Sequence, residues 1–203
     1  MFAGIVLVIV VSLYRLLPVL TGMEMPQWLW NFSPMAALFL CVPACFPRRW
    51  AMALPFAVLL GTGFILNIYH SQQAMAAGHA PYPYFSVELF VQLIAFAGIA
   101  FFGWQLRRQP RMKVLLPAAA GSSIFFYLFT NTVSWLTDPG YVGIGWTSAV
   151  VYGLPPYSYT IPAWHFFRNA FAADLLFTFL FLASVRVSPR LAQDVKHPVA
   201  AAW

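Results

Sequence analysis

Most of the side chains that could bind a ligand or do chemistry fall between Asn131 and Asp174. The run begins with Asn131, Trp135 and Asp138, crosses a stretch rich in Pro and Tyr, and ends with His165, Arg168, Asn169 and Asp174 inside an otherwise apolar segment. An ionisable group near the centre of a bilayer costs about 2.5–3.5 kcal/mol on insertion scales, so these residues are expected to face protein or water rather than lipid. His165, Arg168 and Asn169 share a helix face by their three- and four-residue spacing, which makes that face the expected ligand surface. Arg168 and Asp174 would lie about 9 Å apart along a helix axis and on different faces, so each needs a partner from elsewhere. For Asp174 the expected partner is Arg15.

Other chemistries lack their signatures. The sequence has no His-Glu-x-x-His, no paired acidic cluster, no Gly-rich phosphate loop and no Ser or Cys in a nucleophile context. No catalytic residue is assigned. A membrane enzyme built on His165 or His70 would have no motif to support it. Cys41 and Cys45 sit in an apolar segment without the other Cys or clustered His that a metal site needs, and read as buried thiols. Neither a metal nor a cofactor is implied.

The solvent that positions these residues follows from composition. Of 203 residues, 62% are hydrophobic and 8% charged, against about 25% charged in an ordinary soluble domain. Such a chain cannot supply a polar shell, whereas a bilayer removes the need for one and requires backbone groups to bond within each segment. With no alternating ten-residue pattern, helices are expected rather than a barrel. The expected fold class is therefore all-α, a polytopic membrane protein with six transmembrane helices.

The first span is expected over Phe2–Leu17, ending at Pro18. Its polar residues do not precede the apolar run as they would in a cleaved signal peptide. Trp28 and Trp30 read as an interfacial anchor. Asn31-Phe32-Ser33-Pro34 looks like the start of a helix, with a polar cap and Pro in the first turn. That second span is short, stopping at Pro47-Arg48-Arg49. Further spans are expected over Trp50–Tyr69, Phe85–Leu106, Val114–Thr132 and Ala163–Val187, the fifth opening on small residues from Ala118 to Ser123 that permit close backbone approach. Residues 71–84 read as a polar loop. The crossing 133–163 is too long for a turn, and Gly145–Gly153 is a candidate short helix within it. Residues 1–187 thus form one six-span domain, and 188–203 a cytoplasmic tail.

Nine of the eleven basic residues fall in three groups, at 48–49, 107–113 and 186–196, which six helices place on one side. The positive-inside rule makes that side the cytoplasm. Both termini are then cytoplasmic in a bacterial inner membrane, and the net charge of +6 is an orientation signal that implies no nucleic acid. Arg15, Asn31, Asn67, Glu88, Asn131, His165, Arg168 and Asn169 gather on the outer half. Together with Trp135, Tyr157, Trp164 and Phe167, whose rings would stack on or enclose a solute, they form the expected ligand-binding set.

Arg15-Leu-Leu-Pro18, Asn31-Phe-Ser-Pro34-Met-Ala-Ala, Thr130-Asn131, Trp135, Tyr141, Gly153-Leu154, Tyr157, Pro162, Phe166-Phe167 and Asp174-Leu-Leu-Phe together resemble a family of uncharacterised small bacterial six-helix membrane proteins. That family is in turn similar to the substrate-binding S components of energy-coupling factor vitamin transporters. The resemblance implies an S-component-like bundle that captures a small solute at its outer face, with a transmembrane coupling subunit and ATPases as partners. S components usually dock through small residues spaced four apart on the first helix, and here that helix offers only Ala3 and Gly4. The alternative reading is a structural or accessory subunit of a larger membrane complex, its polar residues serving interhelical bonds.

Overall fold

The computed structural model describes residues 2–22, 31–46, 49–108, 111–153 and 161–187. Trp28, Trp30, Tyr157 and the 188–203 tail lie outside the described residues. Among the described residues the chain is all-α: α1 (Phe2–Arg15), α2 (Leu17–Thr21), α3 (Met35–Cys45), α4 (Arg49–Ala76), α5 (Val87–Gln105), α6 (Met112–Thr137), α7 (Trp146–Tyr152) and α8 (Ala163–Val187).

Four segments, Met52–Ala76, Val87–Arg108, Met112–Thr137 and Ala163–Ser184, are long and apolar enough to cross a membrane. The other two expected spans are not, taken alone. α1 has 14 residues and α3 has 11, so at the helical rise they reach about 21 and 16 Å, against a hydrocarbon core of about 30 Å. Two long helices outrun their expected ends. α4 continues through Ser71–Gln73 to Ala76 and α6 runs to Thr137, because polarity ends a lipid-facing stretch without ending a helix. The crossing to α8 does contain a helix, α7, within the 145–153 stretch.

α3 is the centre of the molecule. Every residue from Met35 to Ala44 is buried, and α4, α5, α6 and α8 all pack against it. Its sequence, MAALFLCVPAC, is apolar on all sides, which is the composition of a helix enclosed by others. Phe39 stacks on Phe96 with centroids 4.5 Å apart, Phe96 on Phe126 at 4.5 Å, and Phe56 meets Phe39 edge-on at 4.8 Å. The outward residues Phe90, Ile94 and Phe101 of α5 are exposed, as side chains facing lipid should be. On α6, Leu115, Ala118, Ala119, Ser122 and Ser123 form the buried stripe, so the small residues do serve close packing.

Directions follow from paired residues. Tyr127 meets Phe167 and Ser123 meets Asp174, so α6 and α8 run antiparallel. Ala37 meets Asp174 and Cys41 meets Thr178, so α3 and α8 run parallel. The backbones of α5 and α3 approach closely at Gly103, where an added Cβ would collide with the Leu40 carbonyl oxygen. Only glycine fits there. Gly103→Ala is expected to lower stability by about 1–3 kcal/mol, the usual cost of overpacking. Gly121→Ala, where the added Cβ meets nothing within 4 Å, should be neutral or slightly stabilising. Thermal unfolding of both variants in mild detergent checks the contrast.

Candidate functional site

The start of α3 creates the problem that the site is built around. A helix leaves its first backbone N–H groups without intrahelical partners, and here the first turn, Met35 to Leu38, is buried. Local sequence does not cap it. The residue at the cap position is Pro34, with no side-chain cap bond, and Asn31, which the sequence offered as a cap, is turned aside in a left-handed conformation at φ 58°. Its Nδ2 instead donates to the Phe166 carbonyl of α8 at 3.4 Å.

The cap comes from another helix. Asp174 of α8, only 2% exposed, accepts the Ala37 N–H at 2.8 Å on Oδ1 and the Ser123 hydroxyl of α6 on Oδ2. One carboxyl group thus joins three helices. One turn further on, the Cys41 thiol lies 3.8 Å from the Thr178 hydroxyl. The expected pairing of Asp174 with Arg15 is corrected here: no ion pair joins them among the described residues, and both Asp174 oxygens are engaged by α3 and α6. Arg15, at the end of α1, is half-buried and lines neither the cavity nor the groove beside His70 described below.

Above Asp174 is a cavity of about 120 Å³, lined by Asn31 at the entry to α3, by Ser123, Phe126, Tyr127, Thr130 and Asn131 of α6, and by Ala163, Phe166, Phe167, Ala170 and Asp174 of α8. Ala163 and Asp174 are about 16 Å apart along α8, which sets the depth from mouth to floor. The polar groups are held by local bonds. Asn131 Nδ2 donates to the Tyr127 carbonyl at 2.8 Å, Thr130 Oγ1 to the Phe126 carbonyl at 2.8 Å, and the Tyr127 hydroxyl to the Val150 carbonyl of α7. Tyr127 and Phe167 pack with centroids 4.8 Å apart.

Of the twelve expected ligand residues, Asn31, Asn131 and Phe167 line this cavity. Asn67 and Glu88 lie in a separate groove with His70, Tyr82, Pro83 and Ser86, where Asn67 Nδ2 ties α4 to the Pro83 carbonyl at 3.2 Å. Trp135 is a fastener, its indole N–H donating to the Ile144 carbonyl at 2.7 Å. The expected face of His165, Arg168 and Asn169 does not line this cavity. With 3.6 residues per turn, His165 points about 180° away from Asp174, and Arg168 and Asn169 more than 100° away. Arg168 is exposed and lies over the exposed Trp164 ring at 5.7 Å, donating to Asn169 Oδ1 at 3.2 Å, while His165 meets Trp164 edge-on at 4.1 Å. Trp164 and its neighbours thus form an outer cluster at the start of α8. In the crossing, burial and then the Asp138 charge raise the Tyr141 phenol above its ordinary value, so it stays neutral.

Ser123, Phe126, Tyr127, Thr130, Phe166 and Ala170 were missed, although a signal existed. Stepping back from Asp174 by one, two and three turns gives Ala170, then Phe167 and Phe166, then Ala163. Stepping forward from Ser123 gives Phe126 and Tyr127, then Thr130 and Asn131. Each is a single helix stripe, and Asp174 rather than His165 is the anchor that selects the right one.

Long apolar helices, a fully enclosed central helix and a polar cavity floored by a buried acid define a multi-pass α-helical membrane protein. Residues 1–196 match the family of unknown function DUF6580, and the chain belongs to that family. Neither a curated protein nor a solved structure matches it.

The three-helix junction at Asp174 makes a prediction. Asp174→Ala leaves the Ala37 N–H buried without an acceptor and should cost about 1–3 kcal/mol, while Asp174→Asn, which still offers an oxygen, should cost less. A double-mutant cycle between Ser123→Ala and Asp174→Ala should show coupling, and a cycle between Arg15→Ala and Asp174→Ala should be additive. Melting temperatures in detergent read both cycles.

Proposed function

We propose that the protein binds a small solute from the outer side of a bacterial inner membrane, as the substrate-binding subunit of a transporter of the S-component kind. The observation that carries this reading is the cavity between α3, α6 and α8. It combines aromatic walls with a few fixed polar groups, the usual make-up of a small-molecule site, and it lies next to a central helix that is capped from outside its own sequence. Two further crossings complete a six-span bundle in this reading. α1 continued by α2 covers residues 2–21, about 30 Å of helix, and α3 crosses together with its non-helical entry at 31–34. The basic groups at 48–49, 107–113 and 186–196 then face the cytoplasm with both termini, and the coupling partners are a transmembrane subunit and its ATPases.

A second reading, a subunit of a larger membrane complex, draws on the exposed Trp164 and Arg168 stack at the start of α8. In that reading the stack is a contact surface.

The two readings differ in what Ala170 and Arg168 do. Ala170→Leu puts a larger side chain into the cavity, and under the solute reading it should abolish the rise in melting temperature that small-molecule extract gives the wild-type protein. Arg168→Ala should leave that rise intact. If no extract stabilises the wild type and Arg168→Ala instead releases co-purifying subunits, the complex reading takes its place. Orientation is tested separately. Single cysteines replacing His79 or Val142, in a protein lacking Cys41 and Cys45, should react with an impermeant thiol reagent outside intact cells, and one replacing Arg108 should not. The reverse pattern would turn the cavity mouth to the cytoplasm.

A further inference from the structure

We infer that the solute is a small organic cation, a protonated amine rather than an anion or a neutral molecule. This deepens the solute-binding reading and rests on it. The argument is an inventory of what the cavity offers after its own side chains have bonded one another. Asn31 and Asn131 each turn the Nδ2 end of the amide onto a backbone carbonyl, of Phe166 and Tyr127 respectively. Oδ1 of each amide is left as an acceptor that no donor among the described residues reaches, and each Nδ2 keeps a second N–H. The hydroxyl hydrogen of Thr130 goes to the Phe126 carbonyl, that of Tyr127 to the Val150 carbonyl, and that of Ser123 to Asp174. Every hydroxyl in the lining has given away its hydrogen and keeps only lone pairs.

The lining is therefore richer in acceptors than in donors, since against the second N–H of each amide stand two amide oxygens, three hydroxyl oxygens and a carboxyl group. Its one ionisable carboxyl group is Asp174, and no Lys, Arg or His is among the lining residues. Phe126, Phe166, Phe167 and Tyr127 surround the same space, and the negative faces of aromatic rings attract cations. An ammonium group brings three donors and a positive charge, and so complements both features. A carboxylate would meet the Asp174 carboxyl group and a lining poor in donors, and a bare metal ion would gain little from the ring walls. The volume of about 120 Å³ suits an amine of a few non-hydrogen atoms. Arg168 and His165, the cationic candidates on α8, lie on its other face and do not contribute to the lining.

The test uses three probes of equal chain length that differ in charge: n-propylammonium, n-propanol and propionate, each added to the purified full-length protein while its melting temperature is followed, with sodium chloride as the inorganic control. The expected result is a saturable rise with propylammonium alone, lost in Ala170→Leu. Asp174→Asn should lose it as well. Because that variant also touches the α3 cap, Asn131→Asp provides the opposite change, adding a carboxylate to the lining, and should tighten propylammonium binding. A saturable rise with propanol or propionate that Ala170→Leu removes would overturn the cation assignment while the solute-binding reading stands. A rise given equally by sodium chloride would overturn the organic cation in favour of a metal ion. If no probe gives a rise, the cation assignment falls, and if extract also gives none, the solute-binding reading falls with it.

Discussion

The backbone N–H groups at the start of α3 open inside the protein, and a carboxyl group from a different helix closes them. The first turn of α3 is buried, so each unsatisfied N–H there would cost about 1–3 kcal/mol. The N-terminal end of a helix also carries about half a positive charge, which an acidic side chain complements. Asp174 meets both demands at once. By accepting from Ala37 of α3 and Ser123 of α6, it fixes the depth of α3 and its register against α8. The Phe39, Phe96 and Phe126 stack and the Gly103 contact with Leu40 then follow from where α3 has been placed.

The cavity is a consequence of the same arrangement. α3 begins only at Met35, and the non-helical entry from Asn31 to Pro34 does not fill the space that another helical turn would occupy. α6 and α8 continue past that level, and their facing stripes are left to line the gap. The Asn31 and Asn131 amides and the Thr130 and Tyr127 hydroxyls there each donate to a backbone carbonyl, while Ser123 donates to Asp174.

Two clusters that compete for attention in the sequence do different work. Asn67 and Ser71 tie the end of α4 to the Tyr82–Pro83 turn, which holds the 77–86 connection against its helix. Trp135 and Trp146 fasten the crossing to α6, the first through the Ile144 carbonyl and the second through the Thr132 hydroxyl. The two tryptophans have the amphipathic character common at membrane interfaces, where one end of a ring is apolar and the other bonds a polar group.

The sequence by itself determined the solvent, the class and most of the helices, because 8% charge and long apolar runs admit few other solutions. It also marked Asp174 as a residue that needed a partner from elsewhere, and Asn31 and Asn131 as members of the expected ligand-binding set. What it could not supply was the partner. The cap of α3 lies 137 positions away in the chain, and local capping rules search only the neighbouring residues, so Asn31 was the natural and mistaken choice. Likewise a charge at position 168 looks more functional than an alanine at 170, yet helix phase puts Ala170 on the wall and Arg168 outside it. Which stripe of α8 faces inward depends on where α3 and α6 stand. That was decided only by the tertiary structure, through one carboxyl group that all three helices share.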